Sequence, residues 1–537
     1  MTSAKRLAVL GCAAMVASTA AGCASATKAV TGGGSSSAIT MGTVNVTSVL
    51  DPAGAYDAGS WLILNNTFQS LLQIPSGATV PQPDAAQSCS FTGADTTTYD
   101  CTLRSGLKFS NGHPLTAADV VFSVQRMQKI NDPSGPAALL STIKSVEAKS
   151  DLEVVFHLNT PDAVLPAKLA SAAGSIVDHQ VFPADKLLAN DKLVGSGPYK
   201  IDSIDYMAGG GTARVPGKIS LSANSHYQGD DKLQNSKYVV RYYNTPADVK
   251  AALDKGDIDL ADNNSLDPAV TTQLKDDQIA GKTDLKVSEG ESAEVSFVVF
   301  NTNDPVTGNP AVRKAAAEVV DRQVLIRNAF DRTVQPLYSV VPAGIAGHNT
   351  AFFDKYGEPD VAKAKKTLTD AKVSLPVKMT LTWSHARAGA AETAELKKQL
   401  EASGLFQVTV QEQTDKQAFQ KGWADGIYQA YVARWIPDYV DADDYITPLV
   451  AGGGVYHNGW DDPRISQQLV PQSIKETDRT AGGAYGQMQD IVADQVPLLP
   501  IYQSKAFYAS RSNITGVDST VDNSGVFRFW EIGRLQK

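Results

Sequence analysis

Residues 377–413 constrain the fold more than any other stretch of the chain. "VKMTLTW" (377–383) has the alternation of a strand, "AETAELKKQLEASG" (391–404) is helix-forming and closes at Gly404, and "FQVTVQEQ" (406–413) returns to strand periodicity. A strand, a helix and a strand joined by short connections form a βαβ unit. The mixture recurs along the chain. "LEVVFHL" (152–158), "KYVVRYY" (237–243) and "EVSFVVFN" (294–301) read as strands. "PLTAADVVFSVQRM" predicts a helix capped by Thr116, with Asp119 three residues on and Val120, Val124 and Met127 on one face. "NPAVRKAAAEVVDRQVLIRNAF" predicts one long helix, with Asn309 as N-cap and Pro310 at the first position, where a missing N–H costs nothing. A chain of 537 residues, 43% of them hydrophobic, is too long for one core, so two or three α/β domains are expected.

The N-terminus points to export. "MTSAKRLAVLGCAAMVASTAAGC" has Lys5 and Arg6 before an uncharged run of small and apolar residues, and no later run is apolar enough to span a membrane. "TAAGC" resembles a bacterial lipobox, in which Cys23 is acylated and begins the mature protein; ordinary signal cleavage near Ala21 is the alternative. "ASATKAVTGGGSSSA" (24–38) is a Gly/Ser-rich flexible tether. Cys12 lies within the signal, which leaves Cys89 and Cys101 in "SCSFTGADTTTYDC". In an exported protein two cysteines this close are expected to pair and staple a hairpin across "TGAD".

Several functions find no support. A formal charge of −9 argues against a nucleic-acid partner. The sequence has no G-x-S-x-G, no H-E-x-x-H and no phosphate-binding G-x-x-x-x-G-K-[ST]. The seven histidines, at 113, 157, 179, 226, 348, 385 and 457, include no pair three or four apart, so no helical metal pair is expected. "AGGGT" (208–212) and "AGGGV" (451–455) read as turns.

Five stretches then fall into a recognisable order. "LRSGLKFSNGHPLTAADVVFS" (103–123), "VGSGPYKI" (194–201), "LDKGDIDLA" (253–261), "FNTNDPVTGNPAVRKAAAEVVDR" (300–322) and "ADQVPLLPIYQ" (493–503) together resemble the family 5 extracellular solute-binding proteins, the peptide-binding components of ABC importers. The match spans about residues 44–533. The resemblance implies an α/β bilobal periplasmic-binding-protein-like fold, with an extra subdomain and a two-strand hinge. Ahead of that match, the N-terminal residues are read as a lipoprotein signal peptide over 1–22 and a tether over 23–39, and the family resemblance divides the rest. Lobe I takes 40–80, 197–295 and 505–537, the extra subdomain 81–196, and lobe II 296–504. Each motif also has a plain structural reading: Gly106, Gly112 and Gly197 are turn formers, and Gly256 stops a helix.

In peptide-binding members a W-x-x-D motif supplies an aspartate for the peptide's α-ammonium. Here it reads Trp435-Ile436-Pro437-Asp438. An ammonium carried into a closed cleft loses its water and needs a carboxylate to offset that loss; aromatic rings such as Tyr439 beside it give apolar area and a negative face. Asp438 is the expected anchor, and a turn residue after Pro437 is the alternative. Asp441, Asp443 and Asp444 are expected to cap the next helix or face solvent. The resemblance also places Asp57, Trp61, Tyr502 and Asn301 near the cleft, although Asp57 and Trp61 equally read as a helix start and a core tryptophan, and Tyr502 as a strand residue. Arg387 and Arg434 are candidates for a ligand carboxylate. The expected function is a lipid-anchored extracytoplasmic receptor that passes peptides to ABC permease subunits. It would act as a monomer without cofactor, metal or catalysis. A nickel chelate, a sugar or glutathione is the alternative ligand, and a secreted lipoprotein hydrolase the alternative class.

Overall fold

The computed structural model describes residues 37–207, 215–384, 389–452, 454–477 and 483–535. The signal, Cys23, most of the tether, the 208–212 glycine run and Arg387 lie outside them. The first strand begins at Ile39, within the segment expected as tether, because Ile39 pairs in register with Tyr238 and is buried in the core.

One mixed sheet organises most of the chain. Its order is Phe406–Gln413, Val377–Ser384, Ala430–Trp435, Leu285–Phe300, Leu498–Arg511, Leu260–Ala261, Ile39–Thr43, Lys237–Tyr242, Pro216–Ala223, Tyr199–Tyr206. Val377–Ser384 and Phe406–Gln413 are parallel and joined by the helix Ala390–Ala402, as a βαβ unit requires. The antiparallel pair Leu285–Phe300 and Leu498–Arg511 belongs to both halves of the sheet. Its residues 285–291 pair with 505–511 on one side, and 295–299 with 498–503 on the other, with register shifts between Glu291 and Val295 and between Ser296 and Phe297. Each side packs its own core. One gathers Ile39, Tyr238, Tyr508 and Phe529; the other gathers Phe297, Leu325, Leu381 and Tyr445. The fold is therefore bilobal, with two strands crossing between the lobes.

A third core belongs to a four-stranded antiparallel sheet, Ala86–Phe91, Thr98–Leu103, Glu153–Leu158 and Ile143–Ala148, on which the helix Ala117–Ile130 packs Val120, Val124 and Met127. Asp119 accepts from the Thr116 N–H at 2.8 Å, the reciprocal half of a capping box. Cys89 and Cys101 face each other across the first hairpin and are disulfide-bonded. Arg126 on that helix forks onto Asp51 with contacts of 2.8 and 2.6 Å, both side chains fully buried. That pair fixes the subdomain to the segment leading into the helix Ala58–Thr67.

The long helix expected from Pro310 is two helices, Pro310–Val319 and Arg322–Phe330. Val320 is extended and Asp321 accepts from the Val324 N–H at 2.9 Å. An aspartate able to cap a new helix breaks the pattern that apolar periodicity alone would continue.

Candidate functional site

A cavity of about 570 Å³ opens where the two lobes and the subdomain meet. The subdomain contributes Ala167 and Ser171, and the early first-lobe segment Tyr56, Asp57 and Trp61. The second lobe contributes Trp423, Arg434, Trp435, Asp438, Tyr439 and Tyr456, and the C-terminal segment Ser524–Val526.

The floor is built by the end of one strand. Ala430–Trp435 lies beside the crossing strand Leu285–Phe300, with Arg434 opposite Ser296 and Trp435 opposite Val295. Pro437 cannot donate to a ladder, and the chain turns through Asp438–Asp441 into the helix Asp443–Val450. The turn is held by its own acids. Asp444 accepts the Asp438 N–H at 2.7 Å and Asp441 accepts the Asp443 N–H at 2.8 Å. Asp443 accepts from the hydroxyls of Tyr439 at 3.0 Å and Thr447 at 2.6 Å. Ala442 stands at the N-cap position with no side-chain cap bond, Asp441 holding the Asp443 N–H, and none of Asp441, Asp443 and Asp444 faces solvent: all are buried, Asp444 at 2% exposure. Hydrogen-bond donors within the turn compensate the carboxylates that water would otherwise solvate.

Asp438 is half-buried and points into the cavity wall. Burial holds its carboxyl above the usual aspartate range, against the lowering effect of the Tyr56 hydroxyl that faces it. Asp444 is pushed well above that range, first by burial and then by the charge of Asp438; the Asp438 N–H and the Trp435 indole work the other way. Burial and the Asp438 charge together raise the Tyr56 phenol, so it stays a donor. Two carboxyls this close and this poorly solvated hinder each other's ionisation.

Of the residues expected at the site, Asp57, Trp61, Trp435, Asp438 and Tyr439 line this one cavity. Asp57 is at the same time the N-cap of Ala58–Thr67, accepting from Ser60 N and the hydroxyls of Ser60 and Ser48, each at 2.8 Å. Trp61 donates to the Ala55 carbonyl at 2.8 Å and packs its ring 5.7 Å from Tyr56. Tyr502 and Asn301 do not line the cavity. Tyr502 is buried in the crossing strand, with the Arg434 guanidinium 5.8 Å from its ring centre. Asn301 donates to the Gly426 carbonyl at 2.8 Å and accepts from the Asn303 N–H at 3.0 Å, which fixes a loop. Tyr502 lies within a crossing strand and Asn301 directly after the other, where the sequence looks the same whether a side chain meets ligand or core. Tyr56 was not singled out by sequence reasoning, and Asp444 was expected to cap a helix or face solvent rather than to stand behind the cavity wall. Tyr56 directly precedes Asp57, and Asp444 belongs to the acidic run after Trp435, so each had a signal in the sequence.

A second polar group lies in the subdomain. Asp178 pairs with His113 and Asp119 with His179, each at 2.7 Å. Asp178 also accepts from Asn111 and Gln180, and Asp119 from Thr116, which accounts for both carboxylates as structural.

A bilobal α/β fold crossed by two strands, with an apolar cavity and a few convergent charges at the junction, is that of a solute-binding protein. Residues 80–457 match the pattern of the bacterial extracellular solute-binding proteins, family 5 (middle), and the chain belongs to that family. It is 24% identical over 485 residues to the probable D,D-dipeptide-binding periplasmic protein DdpA of Escherichia coli (strain K12), covering 87% of this chain and 88% of that one. It is 25% identical over 501 residues to the oligopeptide-binding protein OppA of Bacillus subtilis (strain 168), with 87% and 88% covered. The solved structure of the ABC transporter-associated periplasmic binding protein DppA from Helicobacter pylori, in complex with the peptide STSA, superposes with a TM-score of 0.73. Identity there is 23%, over 93% of this chain and 98% of that one. Among the described residues no helix is long and apolar enough to cross a membrane.

Proposed function

We propose that this chain is a lipid-anchored receptor that captures short peptides outside the cell membrane and passes them to an ABC permease. One observation carries the reading: Asp438 lines the cavity beside Trp435 and Tyr439, with the buried Asp444 behind it accepting the Asp438 N–H at 2.7 Å. An incoming α-ammonium supplies the charge that this pair lacks. Trp435, Tyr439 and Trp61 give apolar area for side chains of varied shape. The volume falls within the ~300–1,000 Å³ of small-ligand sites, which suits a short peptide. The names of DdpA and OppA and the peptide bound to DppA support peptide over other solutes. Lobe I comprises 40–80, 197–295 and 505–537, lobe II 296–504, and the subdomain 81–196, so closure turns on the two crossing strands. The chain acts as a monomer and catalyses nothing. Cys23 carries the lipid, so Cys23→Ala moves the protein from the membrane to the soluble fraction without changing binding.

The test is a pair of peptide sets, one with free and one with acetylated N-termini. Free peptides raise the melting temperature of the parent by mass action, and acetylated ones do not. Truncating one partner of a buried charged pair costs roughly 2–5 kcal/mol, so Asp438→Ala weakens binding by about 30-fold or more. The exposed Asp425→Ala is the control. Equal binding of free and acetylated peptides by the parent would remove Asp438 as the anchor.

A further inference from the structure

Arg434 is the only cationic side chain lining the cavity among the described residues. Its Nε is buried without a hydrogen-bond partner. The nearest carboxylates stand at ion-pair distance and no closer: Glu294 lies 4.0 Å from Nη1 and Glu392 3.9 Å from Nη2. Neither distance is a hydrogen bond. Glu392 is fully buried, and its Oε1 is taken by the Ser296 hydroxyl at 2.8 Å. Arg434 thus already faces two carboxyl groups, Glu294 and a Glu392 that burial raises, while donor capacity of its guanidinium is unused. Such a group accepts an oxygen that brings hydrogen-bonding capacity without charge. A ligand carboxylate at Arg434 would be a third carboxyl group around one cation. It would also enter a cavity whose other lining charges, Asp57 and Asp438, are negative.

Resting on the peptide reading above, we infer that the cavity takes net-cationic peptides whose C-terminal carboxylate is masked or held outside it, with a neutral carbonyl oxygen of the ligand at Arg434. Arg434 is then a specificity-determining residue. It fixes the ligand backbone, and Glu294 and Glu392 keep it from acting as a carboxylate receptor.

The experiment uses the full chain, stripped of ligand, and two equimolar tripeptide libraries that differ only in a free carboxylate or an amide at the C-terminus. Retained peptides are quantified by mass spectrometry. The amide library is retained at least tenfold better, and lysine- and arginine-containing members are enriched in both. Arg434→Met lowers amide retention about tenfold. Glu392→Gln preserves the acceptor for Ser296, removes one carboxyl group, and narrows the preference for amides; circular dichroism confirms that both variants fold. Equal or better retention of the acids overturns the inference while leaving the peptide reading intact. Acid retention that is lost in Arg387→Met overturns it as well. Retention of neither library overturns the peptide reading and the inference with it.

Discussion

The N–H of Asp438 donates to the carboxylate of Asp444 at 2.7 Å, so the two acids that flank the site's turn share one wall. Asp438 faces the cavity and Asp444 stands behind it. Burial raises both, and the charge of each hinders ionisation of the other. A cation bound beside Asp438, as proposed, would favour the ionised form of both.

That relationship sets a pH dependence. A carboxyl whose native pKa lies above its unfolded value, near 4, contributes stability at low pH and loses it as pH rises through the raised native pKa. The unliganded protein therefore becomes less stable from about pH 4 upward as Asp444 is forced to ionise beside Asp438, with Asp443 and the Tyr56 hydroxyl as the other polar groups facing them. Asp444→Asn keeps an acceptor for the Asp438 N–H and removes the charge. Urea unfolding should show it more stable than the parent at pH 8, with a smaller difference at pH 4. A variant destabilised equally at both values would mean that Asp444 is charged and fully compensated. Cationic-peptide binding runs the opposite way and weakens as pH falls, because the protonated pair offers no anion.

The buried fork between Arg126 and Asp51 gives a second expectation. Removing one partner leaves the other charge uncompensated, a loss of about 3–5 kcal/mol for fully buried pairs. Arg126→Met should lower the urea midpoint accordingly, and the double variant Arg126→Met/Asp51→Leu should lose less than the sum of the two single changes. Asp51 lies just before Tyr56 and Asp57, so Arg126→Met should also weaken ligand binding. Unchanged affinity in a folded Arg126→Met protein would separate the fork from the site.

The disulfide closes a loop between Cys89 and Cys101, a sequence separation of 12. Constraint of the unfolded chain by so short a loop amounts to about 3 kcal/mol. Reduction, or Cys89→Ala with Cys101→Ala, should lower the melting temperature of the subdomain and leave peptide affinity nearly unchanged, because neither cysteine borders the cavity. A large loss of affinity in a folded variant would tie the hairpin to the site.

Local patterns carried much of the fold. The βαβ unit at 377–413, the cap at Thr116 and the left-handed Gly256 that ends the helix Pro246–Lys255 are all as the residues imply. What the residues hid was long-range. Leu285–Phe300 extends nine residues before Glu294, through "LKVSEGESA", which reads as polar loop because Lys286, Glu289 and Glu291 face solvent and Gly290 interrupts the strand pattern. The acids after Trp435 look solvated in sequence, since nothing local reveals that Tyr439, Thr447 and Tyr485 aim hydroxyls at Asp443. Asp57 and Tyr502 show the same limit from both sides. A capping aspartate turned out to border the cavity, and a strand tyrosine turned out to be core.

The last prediction concerns release of the ligand. Tyr439 lines the cavity and packs against Val164 and Ala167 of the subdomain, with Lys168 Nζ 5.8 Å from its ring centre. Ala163 N–H donates to the Ile474 carbonyl at 2.7 Å across the same junction. Tyr439 thus borders the cavity and the subdomain with one ring, so in the proposed receptor it should clamp as well as line. Losing the ring forfeits a cation–π contact of about 0.5–1 kcal/mol and apolar burial of about 1.5–3 kcal/mol. Part of that loss should fall on the liganded state, and a loss of 1.4 kcal/mol there is tenfold. Stopped-flow fluorescence should therefore show dissociation from Tyr439→Ala accelerated about tenfold or more, with association little changed, because affinity differences within one interface fall mostly on the dissociation rate. Tyr439→Phe keeps the ring and loses only the bond to Asp443, so its dissociation rate should stay within a few-fold of the parent. If Tyr439→Phe releases peptide as fast as Tyr439→Ala, the hydroxyl's hold on the turn matters and the clamp does not.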